Sequence, residues 1–340
     1  MKGSEMQRQV SRLLVVLGLL APPLVNNAHA DEPRKVKLSD GKEESVGKVA
    51  FSPDGKLLAV ACGRAYAMEV ELYSADTHRL IGKFGGHDWL IGDLQFTPDS
   101  KMLVSAAGRK CMVWNVEKRE LAGRLDEAHS EPITTLSISP DGKQLATGSS
   151  DKSIIVWDLA NQKQIGRLEG HTDKVTSVSF FPNGEKLISV GDDNTLRIWD
   201  WQANKEVFKC TVKYARTGMG VLAIKPDGKW FVTGDKEGHI VLWQIFWDPR
   251  IRLNDFGKWD LGSDRPMSIS MSPNGKQVAV GTFSGQVDVI SLEEQGVVAE
   301  LKINAHRFPV TALAFSKSGQ ELASGSILES GLLIWSGLPK

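Results

Sequence analysis

The residues of this sequence best suited to chemistry form two sets, each with a histidine, a hydroxyl, an aspartate and a tryptophan. The sets keep the same internal spacing, and their members are His129, Thr147, Asp151 and Trp157, then His171, Ser189, Asp193 and Trp199. Histidine, hydroxyl and carboxylate are also the parts of a nucleophilic triad. A triad, however, would occur once and would need an oxyanion site, whereas this set repeats with its tryptophan. The pattern therefore favours a structural role over catalysis.

A polar tight turn recurs along the chain and predicts the elements that position these residues. Six copies and a degenerate seventh lie 42 to 47 residues apart, and they begin at Ser52, Thr97, Ser139, Phe181, Lys225, Ser272 and Ser316. In the six full copies, Pro sets φ at the first turn position, while Asp or Asn and then usually Gly tolerate the backbone angles of the next two positions. Each copy should join two antiparallel strands, so seven turns imply seven similar sheets.

The segments around each turn predict strands and no long helix. Residues 175–180 and 186–190 alternate between apolar and polar side chains, which is the period of half-buried strands. A third strand in most units ends in an aromatic residue followed by a polar one, as in Trp114, Trp157, Trp199, Trp243 and Trp335. A fourth strand leads to a Gly-His or Ala-His pair at His87, His129, His171 and His306. The pattern of the chain is therefore typical of an all-β protein.

These in-phase units resemble the WD-repeat β-propeller family from about residue 34 to the C-terminus. The resemblance implies seven four-stranded antiparallel blades around a channel, which leaves no long open sheet edge. It also implies that each complete set of four residues forms a hydrogen-bonded tetrad. Ring closure should come from the N-terminal strand at residues 35–39, which would complete the blade begun by residues 308–335.

The first thirty residues are predicted to be a secretory signal peptide, followed by one propeller domain over residues 31–340. Residues 1–30 combine a basic leader, an apolar stretch from Leu13 to Val25, and the small-residue cleavage signature Ala28-His29-Ala30. Cleavage after Ala30 would deliver the protein to the periplasm or the outside of the cell. An uncleaved membrane anchor is the alternative, but the apolar run is short and contains Pro22-Pro23.

Composition argues against several classes of ligand. The chain has 41 basic and 41 acidic residues and contains no basic run, so nucleic acid is not an expected partner. No CxxC motif or paired metal-binding histidines occur, and we expect no metal or other cofactor. The three cysteines are expected to be apolar fillers, with Cys62 and Cys111 the one pair worth testing for a disulfide.

The resemblance also predicts where a partner would bind. Loops that enter the first strands and turns between second and third strands should share one face, which we call the loop face. Its candidate binding residues are Arg64, Tyr66, Trp89, Arg265, Arg307 and Phe308. Aromatic and arginine side chains of this kind dominate binding hot spots. The rival location is the opposite face, where Phe246, Trp247 and Arg250 occupy a long connection.

The expected function is a non-enzymatic scaffold that binds a protein or peptide partner, as a monomeric propeller within a complex. Two alternatives remain open. A lactonase-like propeller hydrolase would need a cluster of His, Asp, Glu or Arg at the channel mouth, where the sequence offers Lys174 alone as a charged residue. A structural module of an envelope assembly would bind no specific ligand. Fold alone does not choose among them.

Overall fold

A computed structural model describes residues 34–36, 45–64, 67–126, 128–248, 250–293, 296–329 and 331–338. Every helix or strand assigned in these ranges is a β-strand. None of the described residues forms a helix capable of crossing a membrane. The predicted signal peptide at residues 1–30, its cleavage site and Tyr66 lie outside the described residues.

The strands form seven sheets of four, each with antiparallel neighbours, and this confirms the predicted seven-bladed propeller. The strands of blades one to four are β2 (Ser45–Phe51), β3 (Leu57–Arg64), β4 (Ala67–Ser74), β5 (Leu80–Phe84), β6 (Ile91–Phe96), β7 (Met102–Ala107), β8 (Lys110–Asn115), β9 (Glu120–Leu125), β10 (Ile133–Ile138), β11 (Gln144–Ser149), β12 (Ile154–Asp158), β13 (Lys163–Leu168), β14 (Val175–Phe180), β15 (Leu187–Gly191), β16 (Thr195–Asp200) and β17 (Lys205–Thr211). Within each blade the four strands follow one another in the chain.

Blades five to seven continue this order, and the last of them takes its fourth strand from the N-terminal part of the chain. Their strands are β18 (Met219–Ile224), β19 (Trp230–Asp235), β20 (His239–Phe246), β21 (Arg252–Asp260), β22 (Pro266–Met271), β23 (Gln277–Thr282), β24 (Gln286–Glu293), β25 (Gly296–Asn304), β26 (Val310–Phe315), β27 (Glu321–Ser326), β28 (Leu332–Ser336) and β1 (Arg34–Val36). β1 pairs with β28, with Arg34 opposite Ile334 and Val36 opposite Leu332. The predicted ring closure is therefore confirmed for residues 35 and 36, while residues 37–39 of the predicted strand lie outside the described residues.

The core of the molecule is a set of apolar layers between neighbouring blades. Blades three and four, for example, share a cluster that contains Ile154, Val178 and the fully buried Trp199. Repetition of such layers lets a long chain bury its apolar side chains without one large spherical interior. Cys62 lies in the layer between blades seven and one, while Cys111 lies between blades two and three. The structure shows both residues as thiols and not as a disulfide.

The recurrent turns join two strands within a blade and also join one blade to the next. Gly142 has φ +73°, and a Cβ built there would lie 3.3 Å from Cδ of Pro98 in the preceding blade. The same contact between a turn glycine and the preceding proline recurs at Gly184 with Pro140, Gly228 with Pro182, Gly275 with Pro226, and Gly319 with Pro273. These turns therefore pack as a ring on the face opposite the loop face, which we call the turn face.

Candidate functional site

The two complete tetrads lie where the loops entering blades three and four meet the second and third strands of those blades. In blade three, His129 Nδ1 lies 2.9 Å from Asp151 Oδ2 and its Nε2 lies 2.9 Å from Thr147 Oγ1. Trp157 Nε1 donates to the same hydroxyl at 2.9 Å. The carboxylate of Asp151 also accepts the Ser130 backbone N–H at 3.0 Å, which fixes the loop to the blade.

Blade four repeats this network, with the buried Arg197 guanidinium 3.5 Å from Asp193 where blade three has the more exposed Arg167 3.7 Å from Asp151. His171 Nδ1 lies 3.0 Å from Asp193 Oδ2, and its Nε2 lies 2.7 Å from Ser189 Oγ. Trp199 Nε1 donates to the Ser189 hydroxyl at 2.9 Å. Burial alone would raise the pKa of Asp193, but hydrogen bonds from His171, Thr195 and the backbone hold that pKa well below its usual value.

The geometry of the tetrads suits structural support and gives no access to a substrate. Because the hydroxyl of Thr147 accepts the Trp157 N–H, its own proton is available to histidine Nε2, and Nδ1–H then donates to Asp151. Thr147 and Ser189 are both 0% exposed, so neither hydroxyl can reach an external electrophile. This burial argues against the triad interpretation of these residues.

Other blades keep parts of the network. In blade two, His87 Nε2 lies 2.6 Å from Ser105 Oγ, while Arg109, near the place where an aspartate would stand, is exposed. In blade seven, Glu329 substitutes for the aspartate, with Oε2 3.3 Å from His306 Nδ1. In blade six the carboxylate lies on the entering loop and not in the strand turn, and the hydroxyl of Ser284 in that turn donates to Asp264 at 2.5 Å.

His87 of blade two, which has no aspartate partner in the strand turn, should make the protein less stable in acid. Burial lowers the pKa of His87 to about 4 from 6.5, against the opposing effect of Asp88. The unfolded chain would therefore bind a proton below pH 6.5 that the folded protein takes up only near pH 4, and stability falls as pH falls through that window. We expect His87→Gln to flatten the pH dependence of unfolding between pH 6.5 and pH 4 by up to about 3 kcal/mol. Denaturant titrations giving parallel curves for both proteins would contradict this assignment.

First strands line the central channel and bond to one another around it. A cavity of about 330 Å³ lies among them, and the charged residues on its wall are Lys48 and Asp93. Asp93 Oδ2 accepts the Leu136 backbone N–H of the next blade at 2.9 Å, and Gln95 accepts that of Ile138 at 2.9 Å. Burial raises the pKa of Asp93, although Lys48 and the hydrogen bond from the Leu136 backbone oppose the effect. These polar side chains thus connect neighbouring blades.

Large apolar side chains are exposed on one part of the loop face, and the structure adds three residues to those predicted. Trp89 is 63% exposed and Phe308 is 43% exposed. We define the apolar sector as these two residues together with Leu90, Phe283 and Leu328, all exposed and all in blades two, six and seven. Phe283 and Leu328 occupy strand turns in which blades three to five carry polar residues such as Asp151 and Glu237. That difference is visible in the sequence alone and marks these two turns as apolar.

Backbone contacts join the segments of blades six and seven within the apolar sector. Gly285 in the turn of Phe283 accepts the His306 N–H at 2.9 Å, and a Cβ built there would lie 3.1 Å from the Phe308 carbonyl oxygen. Glu329, beside Leu328, accepts the Arg307 backbone N–H at 3.0 Å. Phe283, Phe308 and Leu328 therefore project from a single connected surface.

The remaining predicted binding residues are distributed around the same part of the ring. Arg265 and Arg307 are exposed, in the loops entering blades six and seven. Arg64 ends β3 of blade one, and its side chain lies outside what the structure describes, as does all of Tyr66. Tyr214 is a further exposed aromatic on the loop face, but the Lys258 ammonium lies 4.5 Å from the centre of its ring.

Trp89 borders a cleft between blades two and three. A cavity of about 410 Å³ is lined there by residues that include Trp89, Gly108, Arg109, Glu131 and Pro132. One edge of the indole packs on Gly108, where a Cβ would come within 3.1 Å of the ring. The cleft combines apolar walls with charged groups, which is the composition of many ligand sites.

At the rival location on the turn face, Phe246 and Trp247 each contact a side chain of the protein itself. Trp247 lies on the turn face with its ring centre 5.0 Å from that of Phe181. Phe246 is the last residue of β20, and the Arg252 guanidinium lies 5.7 Å from its ring centre. The connection of blade five is therefore a longer hairpin between its third and fourth strands, with less exposed apolar surface than the apolar sector offers.

A family model described as WD domain, G-beta repeat matches residues 78–115, 121–158, 162–200, 209–244 and 298–336. These ranges make up more than half of the chain. They contain the first three strands of blades two, three, four and seven, and in blade five the first two strands and the third as far as Gln244.

Two individual proteins also resemble the chain. An uncharacterized WD repeat-containing protein of Schizosaccharomyces pombe is 25% identical over 131 residues, which are 38% of this chain and 20% of that protein. The match thus spans about a fifth of the curated relative. A chain in the crystal structure of the mitotic checkpoint complex has a TM-score of 0.76 at 20% identity, covering 92% of this chain and 93% of that chain. This second likeness concerns the fold alone.

Proposed function

The chain belongs to the WD domain, G-beta repeat family, and from that premise we propose that it is a non-enzymatic scaffold that binds a protein or peptide partner through its loop face. The observation that carries the proposal is the apolar sector. The sector exposes tryptophan and phenylalanine side chains close to arginines. Large aromatic residues and arginine supply much of the binding energy in protein interfaces. A rigid ring of blades presents them on loops, which is the usual arrangement of a binding surface.

The proposal includes export and a monomeric propeller within a larger assembly. Export rests on the signal-like sequence of residues 1–30, and it places the partner in the periplasm or outside the cell. Capture of the partner should therefore start from the exported fraction, where the intact mass of this protein should correspond to a chain that begins at Asp31.

Truncation of two sector residues should weaken the interaction. We expect Trp89→Ala with Phe308→Ala to reduce partner affinity by about 2 kcal/mol or more, the loss typical of aromatic side chains that a partner buries at the centre of an interface. Folding should survive because both side chains are exposed loop residues. Affinity capture followed by titration of the captured partner measures the loss.

The matched variant is Phe246→Ala with Trp247→Ala on the turn face. Thermal melts of both double variants separate a binding defect from unfolding, which is needed because Trp247 packs on Phe181. Loss of binding only in the folded turn-face variant would refute the loop-face assignment. Retention of binding in both would favour a structural module of an envelope assembly.

A further inference from the structure

We infer that the partner segment is an acidic, apolar peptide whose large side chains contact the apolar sector and whose carboxylates meet the arginines around it. This inference rests on the proposed function, since it names the chemistry of the partner for the same surface. Its support comes from the charges that surround the five sector residues.

Three exposed arginines border the apolar sector without a charge partner. Arg307 precedes Phe308 in the loop entering blade seven, and Arg109 lines the cleft beside Trp89 in blade two. Arg265 lies in the loop entering blade six, where its backbone carbonyl accepts the Phe283 N–H at 2.8 Å. Among the residues that the structure describes, their guanidinium groups make no ion pair or hydrogen bond. Arginine presents a planar set of donors that matches a carboxylate in two parallel hydrogen bonds. Such groups are available to an incoming acidic side chain.

Three carboxylates of the same region are already bound within the protein, while a fourth, Glu131, is exposed on the wall of the Trp89 cleft. Asp88 lies 3.3 Å from Lys110 Nζ, and Asp264 accepts both the backbone N–H and the hydroxyl of Ser284. Glu329 accepts the Arg307 backbone N–H and lies beside His306. These acids hold the loops in place, whereas the arginine side chains extend into solvent. Because the three exposed arginines outnumber Glu131, the net charge offered to a partner at this surface is positive.

The Trp89 cleft provides a place for one apolar side chain of such a peptide. The indole is held against Gly108 and yet remains 63% exposed, so much of its surface can contact a ligand. Pro132 contributes to the wall, and Arg109 lies on the same cleft. A Leu or Phe in the cleft would place a neighbouring carboxylate near that guanidinium. Burial of an aromatic surface next to an arginine is typical of a hot spot.

Nucleic acid fits this surface less well than an acidic peptide. The chain carries equal numbers of basic and acidic residues, and the three arginines lie in three different blades and form no basic run that could follow a phosphate backbone. A basic peptide would bring like charges together at Arg109 and Arg307. Complementary charge therefore selects an acidic partner.

The test is selection of a random twelve-residue peptide library displayed on phage against the protein lacking residues 1–30. We expect enriched sequences to combine Asp or Glu with Leu, Phe or Trp. Synthetic versions of the enriched peptides should bind about tenfold or more weakly to Arg109→Glu with Arg307→Glu. Added salt should weaken binding to the unmodified protein. Lys152→Glu with Lys174→Glu, in blades three and four, makes the same charge change outside the sector and should alter binding less than about twofold.

The outcomes distinguish this inference from the proposed function. Peptides that bind through Trp89 and Phe308 but lack acidic residues, and are insensitive to charge reversal at the arginines, would overturn the inference and leave the loop-face scaffold intact. Peptides that are unaffected by Trp89→Ala with Phe308→Ala would contradict the loop-face assignment itself. Failure to enrich any sequence above background would also overturn the inference, while partner capture would still test the scaffold.

Discussion

Val36→Asp is expected to lower the free energy of unfolding by about 3 kcal/mol or more, because it places an unpaired carboxylate in an apolar layer. Val36 is 6% exposed and belongs to the cluster that contains Leu332 and Ile334 of the last blade and Leu58 of the first. It is also the residue of β1 that pairs with Leu332. Denaturant titration monitored by tryptophan fluorescence measures the change.

Arg34→Asp is the matched control because it introduces the same side chain at an exposed position of the same strand. It should cost much less than Val36→Asp. Deletion of residues 34–36 should be at least as damaging as Val36→Asp, since it also leaves the edge of β28 unpaired. If Val36→Asp and Arg34→Asp have equal small effects, or if the deletion leaves the thermal midpoint unchanged, the N-terminal strand does not close the ring in solution.

Asp193→Ala is expected to cost about 3 kcal/mol of stability, because several buried donors lose one shared acceptor. The side chain of Asp193 is 3% exposed and accepts hydrogen bonds from His171, Thr195 and the Thr172 backbone. Arg197, with a side chain 4% exposed, would also lose a carboxylate 3.5 Å away. The buried guanidinium should make this loss larger than that of Asp151→Ala, where Arg167 is partly exposed.

Ser284→Ala provides the control for that experiment. Ser284 stands in blade six at the position of Asp193, but it is exposed and bonds only the loop carboxylate of Asp264 among the charged groups described. Its replacement should therefore change stability by less than about 0.5 kcal/mol. Similar costs at both positions would refute the structural role of the tetrad. Loss of partner binding by Asp193→Ala with unchanged stability would instead revive a chemical role for these residues.

Low pH should act in the same direction as Asp193→Ala. The folded pKa of Asp193 lies below its usual value of 3.8, so the stabilisation is fully present above that value and is lost as pH falls below it. The loss of stability caused by His87, by contrast, begins at a higher pH, because it develops as pH falls from 6.5 to about 4. The two groups thus affect separate parts of the acid unfolding curve.

Much of the architecture could be predicted from the sequence because each blade is built from consecutive strands. The turns that begin at Ser139 and Phe181, the alternation of residues 175–180, and the position of Trp199 are local patterns that a strand and a tight turn require. The closing strand could also be predicted, since Val36 occupies the same place in the pattern as residues of other fourth strands. Hydrogen-bonded tetrads followed from the resemblance, which supplied the contacts between residues distant in sequence.

The sequence by itself determined which residues form strands and turns and how many blades there are, but only the tertiary structure decided which surfaces meet. Gly142 was recognisable as a turn glycine, yet its contact with Pro98 depends on the distance between neighbouring blades. Asp93 was one polar residue of an alternating strand, and the ring gave it the backbone of Leu136 as a partner. Phe283 and Phe308 belong to different blades, and ring geometry brings their loops together on the loop face. Alternation specifies the buried side of a strand, whereas the neighbour it meets is set by blade packing around the whole ring.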